Sequence, residues 1–397
     1  MKYKEVNLGE LVSFVSKGIP PKYIETKSDN TIVVLNQRTN RNFQIDYSLS
    51  RLNDLSKKKV PTNKILIDYD VLINSTGVGT AGRVAQLVKV PELTTVDGHM
   101  IIVRPDEEKI DPLYLGYALK AQQVKIEGLQ EGSTGQTELN RQRLLNDIII
   151  QFPESRKLQQ DISRLFFSLD EKIENNKKIN HHLEQMAQVL FEQVYYDGSS
   201  AQLGDALSTL ESGSRPKGGA ELDGIPSIGA ENIERFGQYD YTKEKFISHE
   251  YFKRLNRGVV HSGDVLLYKD GAYTGKVSMA LDGFPHAQCA VNEHIFILRP
   301  NELAPSSFFL YFLLLNSENK QALFSRASSK AAQPGLNQTE VKTLPILLPK
   351  IEKIVEFDNT IAPFMHQIAK NANENRKLST LRDTLLPKLL SGEISVN

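Results

Sequence analysis

The chain has 397 residues, 40% hydrophobic and 24% charged, enough to bury proper cores and to exclude wholesale disorder. A single cysteine, Cys289, excludes a disulfide framework and a Cys-rich zinc site and fits a reducing compartment, which predicts a cytoplasmic protein. The 48 basic and 48 acidic residues balance, so any nucleic-acid binding must come from a local basic surface rather than from bulk charge.

In chain order, MKYKEVNLGELVSF is not expected to be a secretory signal. Residues 1–153 then mix short β-like runs (ILIDYDVLI at 65–73, MIIVRP at 100–105, DIIIQFP at 147–153) with Gly, Asn and Pro punctuation and a short helix around PLYLGYALKAQQV. Residues 154–197 have a helical pattern, without Pro or Gly from Glu154 to about Tyr196. Residues 198–349 return to the mixed pattern (DVLLYKD, EHIFILRP, LPILLP), and residues 350–397 form a second long helix. The longest apolar run, FFLYFLLL at 308–315, is too short to span a membrane and reads as a buried helix.

The chain contains itself twice. LGELVSFVSKGIPPK from Leu8 matches LGDALSTLESGSRPK from Leu203, and VDGHMIIVRP from Val96 matches VNEHIFILRP from Val291, both 195 positions apart. DVLIN (70–74) pairs with DVLLY (264–268), and Gln136, Leu139 and Asn140 pair with Gln333, Leu336 and Asn337. Ordered matches at a nearly constant offset indicate a duplicated α+β domain, each copy followed by a long helix.

In the first helix Ile162, Phe166, Leu169, Ile173, Asn176, Asn180, Leu183, Ala187, Leu190 and Val194 step alternately by four and three, as a coiled-coil seam does. The second copy gives Phe357, Ile361, Phe364, Ile368, Asn371, Asn375, Leu378, Arg382, Leu385 and Leu389, broken by Arg382 and by Pro363, which is expected to start or kink that helix. Forty helical residues would span roughly 60 Å. A seam asparagine costs stability but leaves an unpaired amide in any wrong register. An antiparallel pair related by a pseudo-twofold axis would set Asn176 against Asn375 and Asn180 against Asn371; the alternative turns these asparagines to solvent and rotates the stripe through Ile179, Leu183 and Met186. Off the seam, Ile179, Met186, Val189, Leu381 and Leu386 are candidates for docking partner helices into a four-helix bundle, or else for packing onto the α+β domains.

Catalytic motifs fail. Gly77-Val-Gly79-Thr-Ala-Gly82 spells a dinucleotide fingerprint, but RVAQLVKVP follows where a helix is needed, so a hairpin turn is expected. Arg83-Val84 stands where a phosphate loop needs Lys-Ser/Thr. No metal-ligand spacing or nucleophile elbow exists, and the repeated His99 and His294 read as structural. No catalytic residue, metal or cofactor is assigned. What remains is a duplicated set of polar loops: Lys17 and Lys22, Asn36, Gln37, Arg38, Asn40 and Arg41, Ser75 and Thr76, Arg83, and Ser133, Thr134, Gln136, Asn140, Arg141 and Arg143. The second copy offers Ser214, Arg215 and Lys217, Asn232, Lys269, Tyr273 and Lys276, and Arg326, Ser328, Ser329, Lys330, Gln333 and Asn337. Such side chains pair with base edges and phosphates, and they also populate any solvated loop.

Two domains each followed by a long helix, the Gly-Ser-Thr-Gly-Gln segment (132–136) before a β-run and Pro153, and LLPKLLSGEI (385–394) together resemble the DNA specificity subunit of a type I restriction–modification system, over the whole chain. The first helix ends LFEQVYYDG instead, a departure from the LLPKLLSG pattern. The resemblance implies two target recognition domains (1–153 and 198–349), each reading one half of an asymmetric bipartite site in double-stranded DNA, and two spacer helices (154–197 and 350–397) that dock two modification subunits. It further implies S-adenosylmethionine and adenine methylation on the modification partner, ATP and Mg on a restriction partner, and no catalysis or cofactor on this chain. Readers related by a pseudo-twofold would face successive major grooves, ~34 Å apart. Two other readings stay open: a DNA-binding regulator or scaffold outside methylation, and a nucleotide-binding enzyme using the Gly77–Gly82 loop.

Overall fold

The computed structural model describes residues 2–131, 138–328 and 335–395. The chain divides into two compact units, one formed by Met1–Asp170 with Ser379–Asn397 and the other by Glu171–Leu378.

The first unit is built on an antiparallel sheet of Val12–Lys17 (β1), Val71–Asn74 (β2), Val84–Gln86 (β3) and Met100–Pro105 (β4), in the order β1-β4-β2-β3. Val71, Ile73, Val84, Ile101 and Val103 pack one face against the helix Pro112–Ala121 (α1), while Leu72, Met100 and Ile102 pack the other with Val33, Leu35 and Val96. Burial on both faces explains why these strands read as continuous apolar runs rather than alternating ones.

The second unit repeats the plan. Leu207–Ser212 (β5), Val265–Tyr268 (β6), Val277–Met279 (β7) and Ile295–Pro300 (β8) form an antiparallel sheet in the order β5-β8-β6-β7, and Ser307–Leu315 (α2) covers it. The apolar run at 308–315 is this buried helix. The repeat extends to details. Each sheet is irregular at one serine, where Ser13 Oγ donates to Pro105 O (3.1 Å) and Ser208 Oγ to Arg299 O (3.3 Å). Each last strand carries an arginine in a two-point pair with the aspartate before the second: Arg104 with Asp70 (2.8 and 2.8 Å) and Arg299 with Asp264 (2.6 and 2.8 Å). Gly18 and Gly213 leave no room for a side chain: a Cβ would lie 2.1 Å from Val96 O and 1.7 Å from Val291 O.

Two long helices, Arg156–Tyr195 (α3) and Ile351–Ser391 (α4), pack antiparallel, and each unit holds part of both. Within the second unit, Asn176 donates to Asn375 Oδ1 (2.9 Å) and Glu374 (2.8 Å), and Asn371 donates to Asn180 Oδ1 (2.8 Å). Asn180 spends its own amide on Ile368 O (3.3 Å). The seam expected from sequence holds at Ile162, Phe166, Ile173, Asn176, Asn180, Ile368 and Asn371, all buried, with Leu169, Leu183, Leu190, Asn375, Leu378 and Leu385 half-buried.

Three expectations need correction. Pro363 does not start α4, which begins twelve residues earlier at Ile351 and continues past both Pro363 and Pro387. Neighbouring packing by Ile361 and Met365, both fully buried, outweighs the lost hydrogen bond. Towards its C-terminus α3 buries Phe191 and Tyr195 more deeply than Leu190 and Val194. There Phe191 packs on Phe309, Phe312 and Phe357, so the buried face follows the 3.6-residue turn of a straight helix instead of a 3.5-residue seam. Leu386 is not on a free face: with Leu389 and Leu390 it is buried in the first unit's core.

Arg382, the break in the seam, is explained by a buried charge cluster in the first unit. Asp170 receives Arg382 Nη1 (2.5 Å), Lys120 Nζ (3.3 Å) and the Tyr117 hydroxyl (2.8 Å). Burial opposes the Asp170 charge, but the two cations outweigh it and hold the carboxyl below its usual value. Its stabilising contribution is therefore present above the unfolded value of about 4 and lost as pH falls through the lower folded value.

Two stability predictions follow from these helices. Asn180→Leu should strand the Asn371 amide and cost about 1–3 kcal/mol in denaturant unfolding, while Asn180→Leu with Asn371→Leu should recover much of that loss. Asp170→Asn should cost about 3–5 kcal/mol, because it leaves Lys120 beside Arg382 with only the exposed Asp383, held by Arg382 Nε at 2.8 Å, as counter-charge. The Asp170→Asn deficit should begin to shrink below about pH 4, where the unfolded-state carboxyl takes up its proton, and be gone once pH falls through the lower folded value.

Candidate nucleic-acid interface

The glycine-rich segment at 77–82 is a hairpin between β2 and β3, with no helix after it. Gly77, Gly79 and Gly82 have φ of +117°, +67° and +87°, and a Cβ on Gly82 would lie 2.6 Å from the Glu127 backbone. The glycines therefore serve a tight turn and a close approach, not a phosphate cradle at a helix end. Among the described residues no cluster of three or more His, Cys, Asp or Glu could hold a metal, and no helix is long and apolar enough to cross a membrane.

Around this hairpin the first unit gathers cations. Arg38 and Arg41 are exposed and Arg83 half-buried; Arg41 Nε donates to Arg38 O (3.3 Å) and Arg83 Nη2 to Gly79 O (3.0 Å). None of the three pairs with a carboxylate among the described residues. On the far side of Thr76, Lys17, Lys64 and Arg141 converge on a cleft of about 690 Å³ lined also by Ser16, Glu138 and Asn140. Burial pushes the ammonium values of Lys17 and Lys64 down, Arg141 adding repulsion to both and Lys58 to Lys64. Glu138 answers Lys17 as an ion pair. Lys64, which donates to Gly18 O (2.9 Å), had no local sequence signal: its Pro-Thr-Asn-Lys turn meets Lys17 only through the fold.

Several loop residues put forward from sequence are spent inside the protein. Asn36 is buried and caps the Arg38 amide, and Asn40 donates to Arg83 O (2.9 Å) and Asn74 Oδ1 (3.2 Å). Ser75 is fully buried and reaches Gly98 O. Asn140 caps the helix Arg141–Asp147, and Arg143 is tied to Asp147 and Glu131. Lys22 is exposed, and Gln37 and Thr76 are half-buried. Ser133, Thr134 and Gln136 lie outside the described residues, as do Ser329, Lys330 and Gln333 in the second copy.

The second unit differs in charge. Lys276 bonds Ile233 O and Glu234 and lies over the Tyr273 ring, Lys269 pairs with Asp270, and Arg215 approaches Glu293. Asn232 is buried between Gly229 N and Asp240 O, Ser214 bonds Tyr251, and Asn337 caps Gln338–Lys342. Arg326 donates to Glu340 O and to Thr343, which braces the helix Ser317–Ser328 against Gln338–Lys342. Lys217, Tyr273, Ser328 and Asn337 are exposed. The repeated histidines occupy one place in each plan: His99 Nδ1 meets Thr76 Oγ1 (2.7 Å) and His294 Nδ1 meets Asp270 Oδ2 (2.8 Å). Both backbone amides are capped by the residue two before, Asp97 or Asn292.

The family model for the type I restriction modification DNA specificity domain matches residues 1–185 and 220–382, and the chain belongs to that family. It is 24% identical over 379 residues to the type I restriction enzyme MjaIX specificity subunit of Methanocaldococcus jannaschii, covering 89% of this chain and 85% of that one. It is 32% identical over 103 residues to the HindI specificity subunit of Haemophilus influenzae, covering 26% of this chain and 22% of that one. Its fold is similar to that of the S subunit of a type I restriction–modification system from M. genitalium, with a TM-score of 0.60 at 14% identity, covering 98% and 96% of the two chains.

On the long helices Ile179, Met186 and Val189 in the second unit, and Leu381 in the first, remain about half exposed. Met186→Glu with Leu381→Glu should abolish co-purification of a modification subunit while leaving the melting profile unchanged; normal assembly of that double variant would refute a docking role.

Proposed function

We propose that this chain reads an asymmetric, bipartite site in double-stranded DNA, one half through each α+β unit, and directs two modification subunits to it, with restriction subunits as further partners. The observation that carries this reading is the duplicated sheet-and-hairpin plan combined with unlike loop chemistry: the hairpin that carries Arg83 in one unit, with no carboxylate partner among the described residues, carries Lys276 paired with Glu234 in the other. Two identical readers would favour a symmetric target; two unlike ones favour an asymmetric target. The recognition segments are taken as 1–153 and 198–349, and the helices at 154–197 and 350–397 as the spacer that fixes the distance between half-sites. Methyl transfer to adenine belongs to the partner, which binds S-adenosylmethionine and extrudes the base, and ATP and Mg belong to a restriction subunit. The chain itself contributes sequence reading and positioning.

The test is modular. Replacing residues 1–153 by the equivalent segment of a relative should change one half of the methylated motif in host methylome sequencing and leave the other half and the spacing intact. Inserting four residues in α3 should change the spacing alone. A segment swap that altered both halves together would overturn the division of labour.

A further inference from the structure

The tip of the β2–β3 hairpin carries a side chain that the fold does not use. Val78 is 95% exposed, between Gly77 and Gly79. A Cβ on Gly79 would meet nothing within 4 Å, so the tip stands clear of the protein. Water disfavours an apolar side chain there, and a turn needs none.

The tip is nevertheless held firmly. Buried Asn74 donates its amide to Gln37 O and to Thr80 O, both at 3.1 Å, which fastens the hairpin to the Asn36–Arg41 run. Asn40 fastens the same run to Arg83 O, and Arg83 returns to Gly79 O. Arg38, Arg41 and Arg83 thus belong to one braced surface with Val78 as its projecting point. Three guanidiniums that face no carboxylate among the described residues suit a polyanion, and a projecting apolar tip among them suits the base edges between the strands of phosphates. In the second unit the corresponding turn exposes Tyr273 (52%), which aligns with Gly79 rather than with Val78 and lies under the Lys276 ammonium.

We propose that Val78 reads a base of the first half-site by packing on the C5-methyl of a thymine in the major groove, while Arg38, Arg41 and Arg83 hold the flanking phosphates. This rests on the DNA-specificity reading above. The full-length chain with its modification subunits would first be used to select its site from a pool of randomised duplexes. Uracil would then replace each thymine of the selected duplex in turn. One replacement in the first unit's half-site should weaken binding about threefold to fivefold, the worth of one buried methyl group, and Val78→Ser should bind the thymine and uracil duplexes alike at that position. The same variant should keep the wild-type salt dependence on a mixed-sequence duplex, whereas Arg38→Ala, Arg41→Ala and Arg83→Ala together should reduce the slope of log K against log salt by up to about three. Val78→Ser retaining every uracil effect of the wild type would overturn the proposal, as would a first half-site indifferent to every thymine methyl. Failure of the wild type to select any sequence would instead overturn the underlying DNA-reading assignment, so the two failures are distinguishable.

Discussion

The amide pairs between the two long helices are the constraint on which the rest depends. An apolar seam is tolerant: sliding one helix by a turn replaces one aliphatic contact by another. Two consecutive layers of buried asparagine are not, because Asn176 meets Asn375 and Asn180 meets Asn371 in one register and one direction only. Each unit draws its core from both helices, Phe191, Phe357 and Ile361 in the second and Ile162, Phe166 and Leu389 in the first. The register of the pair therefore decides which side chains reach each core, and with them the sheets and the loops.

The first unit adds an electrostatic version of the same lock. Arg382 occupies a position where the repeat would place an aliphatic residue, and it is there because Asp170 faces it across the helix pair and Lys120 reaches in from α1. A charge cluster of this kind contributes little net stability over an apolar one, but it penalises every arrangement that leaves a member alone. Asparagines in one unit and ions in the other serve the same end by different chemistry.

On this frame the duplicated domains separate what must stay from what can change. The serine at each strand irregularity, the Arg–Asp pair and the side-chain-free contact at Gly18 and Gly213 are common to both units, and all lie in the scaffold. Charge on the loops is not common: among the described residues the arginines around the first hairpin face no carboxylate, while Lys276, Lys269 and Arg215 in the second each face one. A scaffold satisfied by its own hydrogen bonds leaves its loops free to vary without loss of fold.

The sequence by itself determined the duplication, the α+β character of each copy and the two long helices, and it offered the antiparallel register of their asparagines as one of two arrangements, between which the Asn176–Asn375 and Asn371–Asn180 bonds decide. Each of these is written in periodicity or in residue identity at a fixed offset, which are local properties of the chain. It also marked the glycine segment as a turn, since no helix pattern followed it. What only the tertiary structure decided are the contacts between distant segments. Arg38, Arg83 and Arg326 are indistinguishable as letters, yet among the described residues two face no carboxylate around a hairpin and the third is consumed by Glu340 O and Thr343. Asn36, Asn40 and Asn232 look like loop readers and are buried braces, because a buried backbone must find partners and a nearby amide supplies them. Lys64 joins Lys17 and Arg141 from a turn more than forty residues away. Leu386 and Leu381, five residues apart on one helix, part ways between core and solvent because the first unit's fold reaches one and not the other.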